Sequence, residues 1–169
     1  MEHLKAASND YYWKRKQSVE HYLGGVRKAF PLVNEQIDTI LRIINHFNPN
    51  IKSFLDLGCE DGFLGKIISH EYHIDGVYLD CSEEMINKAK QNIGDKAEFI
   101  VQDFGDDEWT NSLKSKNGFD LIISGFAIHH LPDDKKIYVV EKIGDDGGFE
   151  FDLSVAAVED GKIVPIKVD

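Results

Sequence analysis

Residues 53–65, reading Ser53-Phe54-Leu55-Asp56-Leu57-Gly58-Cys59-Glu60-Asp61-Gly62-Phe63-Leu64-Gly65, constrain the fold more than any other stretch. The first five are short and mostly apolar, which suits a strand buried on both faces. Gly58 and Gly62 then punctuate a tight turn, and apolar residues resume at helical spacing from Phe63 to Ile68. A strand, a glycine turn and a helix N-terminus let the backbone approach a ligand closely and aim N–H groups at it.

The rest of the chain repeats the alternation. Asn9 can cap a helix with Tyr12, Val19, Tyr22 and Leu23 on its apolar side, ending at Gly24-Gly25. Pro31 opens a second, with a stripe of Val33, Ile37, Ile40, Leu41 and Ile44, stopped by Asn48-Pro49. Residues 76–80 form a second strand ending in Asp80. Ser82 caps a helix whose first turn holds Glu83 and Glu84, and Gly94 closes it. Residues 97–101 read as a third strand, 107–113 as a weak helix, and 119–124 as a fourth strand. Strands alternating with helices predict right-handed crossovers and an α/β fold: a doubly wound, mostly parallel, Rossmann-like sheet with helices on both faces.

Past Pro132 a helix begins, but Ile137-Tyr138-Val139-Val140 is rich in β-branched residues and reads against a long one. Gly147-Gly148 precedes a fifth strand at residues 149–153. Asp160-Gly161 between apolar runs predicts a C-terminal β-hairpin, with Pro165 pushing its second strand to an edge. A chain of 169 residues makes one domain: N-terminal helices over 1–50, a cofactor-binding core over 51–136, and an atypical segment over 137–169.

A net charge of −11, from 19 basic against 30 acidic residues, argues against a nucleic-acid binder. Lys14-Arg15-Lys16 is the nearest approach to a basic stripe and reads as a solvated helix face. No secretory core follows Met1 and no apolar run is long enough for a membrane, so a cytoplasmic protein with no membrane partner is expected. Cys59 and Cys81 are the only cysteines, which indicates reduced thiols and no metal site.

In an open parallel sheet, ligands bind at the carboxyl ends of the strands. Four positions fall there: the turn at 56–62, Asp80, Asp103-Phe104, and residues 124–130. Asp80 follows Gly62 by 18 residues, a spacing that lets a carboxylate take the two hydroxyls of a ribose. A nicotinamide-dependent oxidoreductase would need G-x-G-x-x-G, yet Glu60 and Phe63 occupy the second and third glycine positions. A ribose without a phosphate suits so acidic a rim better.

At this point the residues resemble a known family. Phe54-Leu55-Asp56-Leu57-Gly58-Cys59-x-Asp61-Gly62 is similar to motif I of class I S-adenosylmethionine-dependent methyltransferases. Asp80 resembles the acidic end of their second strand, and Gln102-Asp103-Phe104 the segment after their third. Residues 119–131, with His129-His130, resemble the fourth-strand motif of the small-molecule methyltransferases. The resemblance implies that S-adenosylmethionine is the cofactor, that S-adenosylhomocysteine is the product, and that a small molecule is the methyl acceptor. It implies that Asp56 and the backbone of Gly58, Glu60 and Gly62 hold the methionine part, and that Asp80, with Cys81 beside it, takes the ribose. Met85, Asp103 and Phe104 would face the adenine, Ser124 would line the side where the methyl group leaves, and Arg27 would pair with the cofactor's carboxylate.

Catalysis then needs an in-line acceptor and a base, and His129 or His130 is the candidate. Equally, one imidazole could cap the strand end while the other lies on the surface. A metal held by His129, His130 and Asp133 is disfavoured, because adjacent side chains are expected to point apart and a third ligand is not assured. Tyr11, Tyr12, Trp13, Arg27 and Phe30 read as packing, or as a flap over a ligand. Glu60 stands where the family has glycine. If that position needs a positive φ, glutamate costs about 1–2 kcal/mol in strain, and weakened cofactor binding is expected. Glu60 and the short C-terminus also keep open an alternative, a catalytically impaired methyltransferase-like binding or scaffold domain. A homodimer through the C-terminal edge strand is a further expectation.

Overall fold

Phe54, Leu55, Asp56 and Leu57 are all buried, and together they form the strand on which the rest is assembled. The computed structural model describes residues 33–114, 116, 118–145, 157–159 and 162–164. Four strands, β1 (Phe54–Leu57), β2 (Val77–Asp80), β3 (Glu98–Val101) and β4 (Leu121–Ile123), form one sheet in the order β3-β2-β1-β4. Every pairing is parallel; Leu55 lies opposite Val77 on one side and Ile122 on the other. Strand β1 is therefore interior to the sheet, which is why its residues are apolar apart from Asp56, whose buried carboxyl group is hydrogen-bonded to the Gly65 N–H. This is the parallel α/β sheet expected from the alternation of elements.

Among the described residues four helices accompany it: α1 (Val33–Phe47), α2 (Phe63–Tyr72), α3 (Glu83–Ile93) and α4 (Asp133–Asp145). Side chains alternate across the strands and build two apolar layers. On one face Phe54 and Tyr78 pack with Ile44 of α1, Ile68 of α2, and Ile86 and Ala89 of α3. On the other, Leu55, Leu57, Val77 and Leu79 meet Phe104, Trp109, Leu113 and Val139 of α4. Gly76 is required by the first layer, since a Cβ there would sit 2.1 Å from the Phe54 ring.

Three elements differ from their sequence-based reading or extend it. The weak helix is a short 3-10 segment, Trp109–Leu113, which buries Trp109 and Leu113 against the second layer. Helix α4 runs straight through the β-branched residues to Asp145, past the boundary expected at 136, because burial of Val139 outweighs a weak intrinsic preference. Short strands β5 (Ala157–Glu159) and β6 (Lys162–Val164) pair antiparallel in a sheet of their own. The first N-terminal helix, the basic triplet, the aromatic cluster with Arg27 and the fifth strand all lie outside the described residues. No helix among those described is long and apolar enough to cross a membrane.

Candidate cofactor site

The turn after β1 is held open by backbone geometry that few residues adopt. Gly58, Glu60 and Gly62 all have positive φ, at 70°, 54° and 78°. Position 60 thus lies in glycine-favouring territory, with a glutamate there. Gly58 is fixed by packing as well: a Cβ would fall 2.3 Å from the Ala127 Cβ and 3.2 Å from the Phe104 ring. That contact brings the turn against the loop after β4, so the two walls of the site touch at a glycine.

Asp80 ties the turn down. Its Oδ2 accepts the Glu60 N–H at 2.9 Å and its Oδ1 accepts the Ser82 N–H at 2.8 Å. Ser82 in turn caps α3, its Oγ accepting the Met85 N–H at 3.3 Å. One carboxylate thus fastens both the glycine turn and the start of the next helix. Burial pushes its pKa up, with the charge of Asp103 adding to the effect, while the two backbone donors oppose both. The Cys81 side chain hydrogen-bonds to the same carboxylate and also holds its pKa down.

Asp56 is more deeply placed. Its Oδ2 accepts the Gly65 N–H at 3.0 Å, so this N–H in the first turn of α2 is spent inside the protein. Burial pushes the Asp56 pKa up to about 8, against the pull of that hydrogen bond, and the charges of Glu60, Asp80 and Asp61 add to the rise. Ser124 likewise acts within the scaffold, its Oγ donating to the Leu57 carbonyl at 2.8 Å.

A cavity opens at the carboxyl end of the sheet between these parts. Gly58, Glu60, Asp80, Cys81, Met85, Asp103, Phe104 and His130 line it, which unites eight of the sequence-derived site residues. Asp56, Gly62, Ser124 and His129 are not on its lining, and Arg27 lies outside the described residues. Phe126, Ala127 and Leu131 complete the wall. Ala127 and Leu131 were given no role from sequence; the signal available was their place in the apolar stretch after β4. Phe126 stands exposed at 44% with φ of 56°, a second non-glycine residue in the left-handed region on this cavity.

The paired histidines sit on a 3-10 turn, Ile128–His130. Their rings do not point apart as expected for neighbours: the centroids are 3.8 Å apart and the planes inclined at 41°. Burial lowers the pKa of both. His130 falls to about 4, with the neighbouring His129 adding to the drop, and Lys136 adds to the lowering at His129. Among the described residues no group of three or more His, Cys, Asp or Glu is placed to hold a metal ion.

Residues 54–145 match the family model described as a methyltransferase domain. The chain belongs to that family. The matched segment contains the whole cavity lining, from Gly58 to Leu131. Solved structures share the fold of this methyltransferase domain. DesVI of Streptomyces venezuelae superposes with a TM-score of 0.60 at 17% identity, over 80% of this chain and 56% of its own. The plantazolicin methyltransferase BpumL, solved with S-adenosylhomocysteine and a pentazolic desmethylPZN analog, gives 0.63 at 20%, over 80% and 51%. The magnesium protoporphyrin IX methyltransferase of Synechocystis PCC 6803, solved with S-adenosylmethionine, gives 0.61 at 18%, over 83% and 73%. The chain therefore spans about half the length of DesVI and BpumL. No curated protein sequence matches it.

Proposed function

We propose that this domain belongs to an S-adenosylmethionine-dependent methyltransferase that acts on a small molecule. The observation that carries the reading is the charge of the cavity. Glu60, Asp80 and Asp103 line it, and no Lys or Arg does among the described residues. A pyrophosphate would meet three carboxylates and no cation. A ribose, whose hydroxyls donate, and a cationic sulfonium both find acceptors of the right sign. Gly58 fits the same ligand, since it lets the turn pack against Ala127 and Phe104 at the cavity wall with no side chain of its own.

In this reading Asp80, with Cys81 beside it, takes the ribose hydroxyls, and Asp103 accepts from the adenine amino group. Met85, Phe104 and Leu131 supply apolar contact. When bound, S-adenosylmethionine supplies an electrophilic methyl group. His130, neutral above about pH 4, is on hand to take a proton from the acceptor. The neighbouring His129 ring, tilted against it, positions that imidazole. Asp56, Gly62 and Ser124 shape the turn and the strand end, and Arg27 is retained as the partner of the cofactor's carboxylate. The same reading includes homodimerisation through the edge of β6, which a monomeric mass by light scattering would remove.

Calorimetric titration with S-adenosylhomocysteine, beside methyl transfer from labelled S-adenosylmethionine to a panel of small acceptors, tests the proposal. Absence of binding would overturn it. The left-handed Glu60 favours one second reading, a domain that holds cofactor weakly and serves as a binding module. Binding without transfer to any acceptor would support that outcome.

A further inference from the structure

A second concavity, of about 310 Å³, lies between α2 and the connection from α3 to β3, and it shares no lining residue with the cofactor cavity. Lys66 and His70 of α2, His73 at its C-cap, and Lys96 before β3 stand on its walls, with Asp75 as the one carboxylate. Four basic side chains against one acid reverse the balance of a chain whose net charge is −11. Among the described residues the cations in ion pairs are Arg42, Lys116, Lys135 and Lys136, so none of the four in the groove is neutralised that way.

His73 is held in place by its backbone. It sits in the left-handed region, at φ 55° and ψ 42°, and its N–H closes α2 by donating to the Ser69 carbonyl. The His70 and His73 ring centroids are 6.4 Å apart with planes at 54°, too far for their nitrogens to hydrogen-bond each other. Each imidazole offers at least one N–H in either protonation state, and each lysine offers three donors on a point charge. Donors converging from two walls, with little negative charge between them, match a compact ligand that has several acceptor oxygens. The carbonyls at the end of α2 would repel an anion lying on the backbone, so recognition rests on the side chains.

We propose that this groove is a second ligand site, for a small anion of phosphate chemistry, either inorganic phosphate or a phosphomonoester. The proposal does not depend on methyl transfer. Titrating the full chain with inorganic phosphate and with glycerol phosphate, at fixed ionic strength and with 31P line width as the readout, tests it. Saturable binding of one or both is expected, and the tighter of the two identifies the source. K66A/K96A is expected to weaken binding by about tenfold or more, because both point charges are lost. K52A/K114A, which removes the same charge elsewhere on the surface, should leave it unchanged. S-adenosylhomocysteine affinity and thermal midpoint, measured on both variants, report whether each is folded. No saturable binding to wild type would overturn the proposal, as would equal loss in the two double variants, or a folded K66A/K96A that binds like wild type.

Discussion

The Glu60 N–H donates to Asp80 Oδ2 at 2.9 Å, so the glycine turn after β1 hangs from the carboxylate that ends β2. The same carboxylate holds the Ser82 N–H through Oδ1. Asp80→Ala leaves both donors without their partner and is expected to lower unfolding free energy by about 2–3 kcal/mol. Asp80→Asn keeps one acceptor oxygen and should cost about half as much. Urea denaturation of the two variants measures this; equal losses would show that only one of the bonds matters.

Glu60 carries backbone strain at φ 54°, inside the cavity wall. Glu60→Gly relieves that strain but adds freedom to the unfolded chain, so a net gain of about 0.5–1 kcal/mol is expected. S-adenosylhomocysteine should also bind several-fold more tightly to the glycine variant. Equal affinities by calorimetry would dismiss the idea that Glu60 weakens the site.

Gly58 has no room for a side chain, with the Ala127 Cβ 2.3 Å from where its own would be. Gly58→Ala should lose about 3 kcal/mol of stability from overpacking and strain together. Because the clash pushes the turn off the loop after β4, ligand binding should suffer more than Glu60→Gly could restore. A variant with wild-type melting temperature would contradict this packing.

Asp56 gives the protein a pH signature. Its folded pKa is about 8, far above that of an unfolded aspartate. Between about pH 4 and pH 8 the unfolded chain has released this proton and the folded chain has not, so this group's contribution to stability falls as pH rises. The lowered histidines act in the opposite sense, but they are common to wild type and variant. Asp56→Asn, which keeps an acceptor for Gly65, should therefore gain on wild type steadily from pH 5 to pH 8 in thermal melts. A constant gap would refute the buried protonated carboxyl.

His130 lines the cavity and His129 does not. His130→Ala should reduce kcat by about a hundredfold or more if it takes the acceptor's proton. His129→Ala should have a smaller effect on kcat. The acid limb of the wild-type kcat profile should fall near pH 4, where His130 protonates. Equal losses in the two variants would point to a shared structural role.

Strand β1, the glycine turn and the Ser82 cap were legible in the sequence because each depends on contacts within a few residues. An apolar run that must be buried twice, a positive φ at a glycine, and a serine three residues before Met85 are all local demands. What could not be read depends on partners far along the chain. Nothing near Val139 announces that it will be buried against Leu55 and Leu79, so its β-branched neighbours mislead. Which histidine faces the cavity is set by the short 3-10 turn, and two adjacent imidazoles look alike in sequence. That both oxygens of Asp80 are already engaged by the backbone follows from bringing Glu60 across from β1, a distance of 20 residues.

The Ser124 hydroxyl reaches the Leu57 carbonyl across 67 residues, and β4 joins β1 at the same span. The chain between them already packs on β1 through β2, Trp109 and Leu113, yet the contact of β4 with β1 still joins residues far apart in sequence. One wall of the cofactor cavity belongs to the segment after β4, including Phe126, Ala127, His130 and Leu131. A cofactor that needs both walls can bind only chains in which this long closure has been made. Its free concentration therefore acts on the completeness of the fold, drawing the chain toward the fully joined sheet.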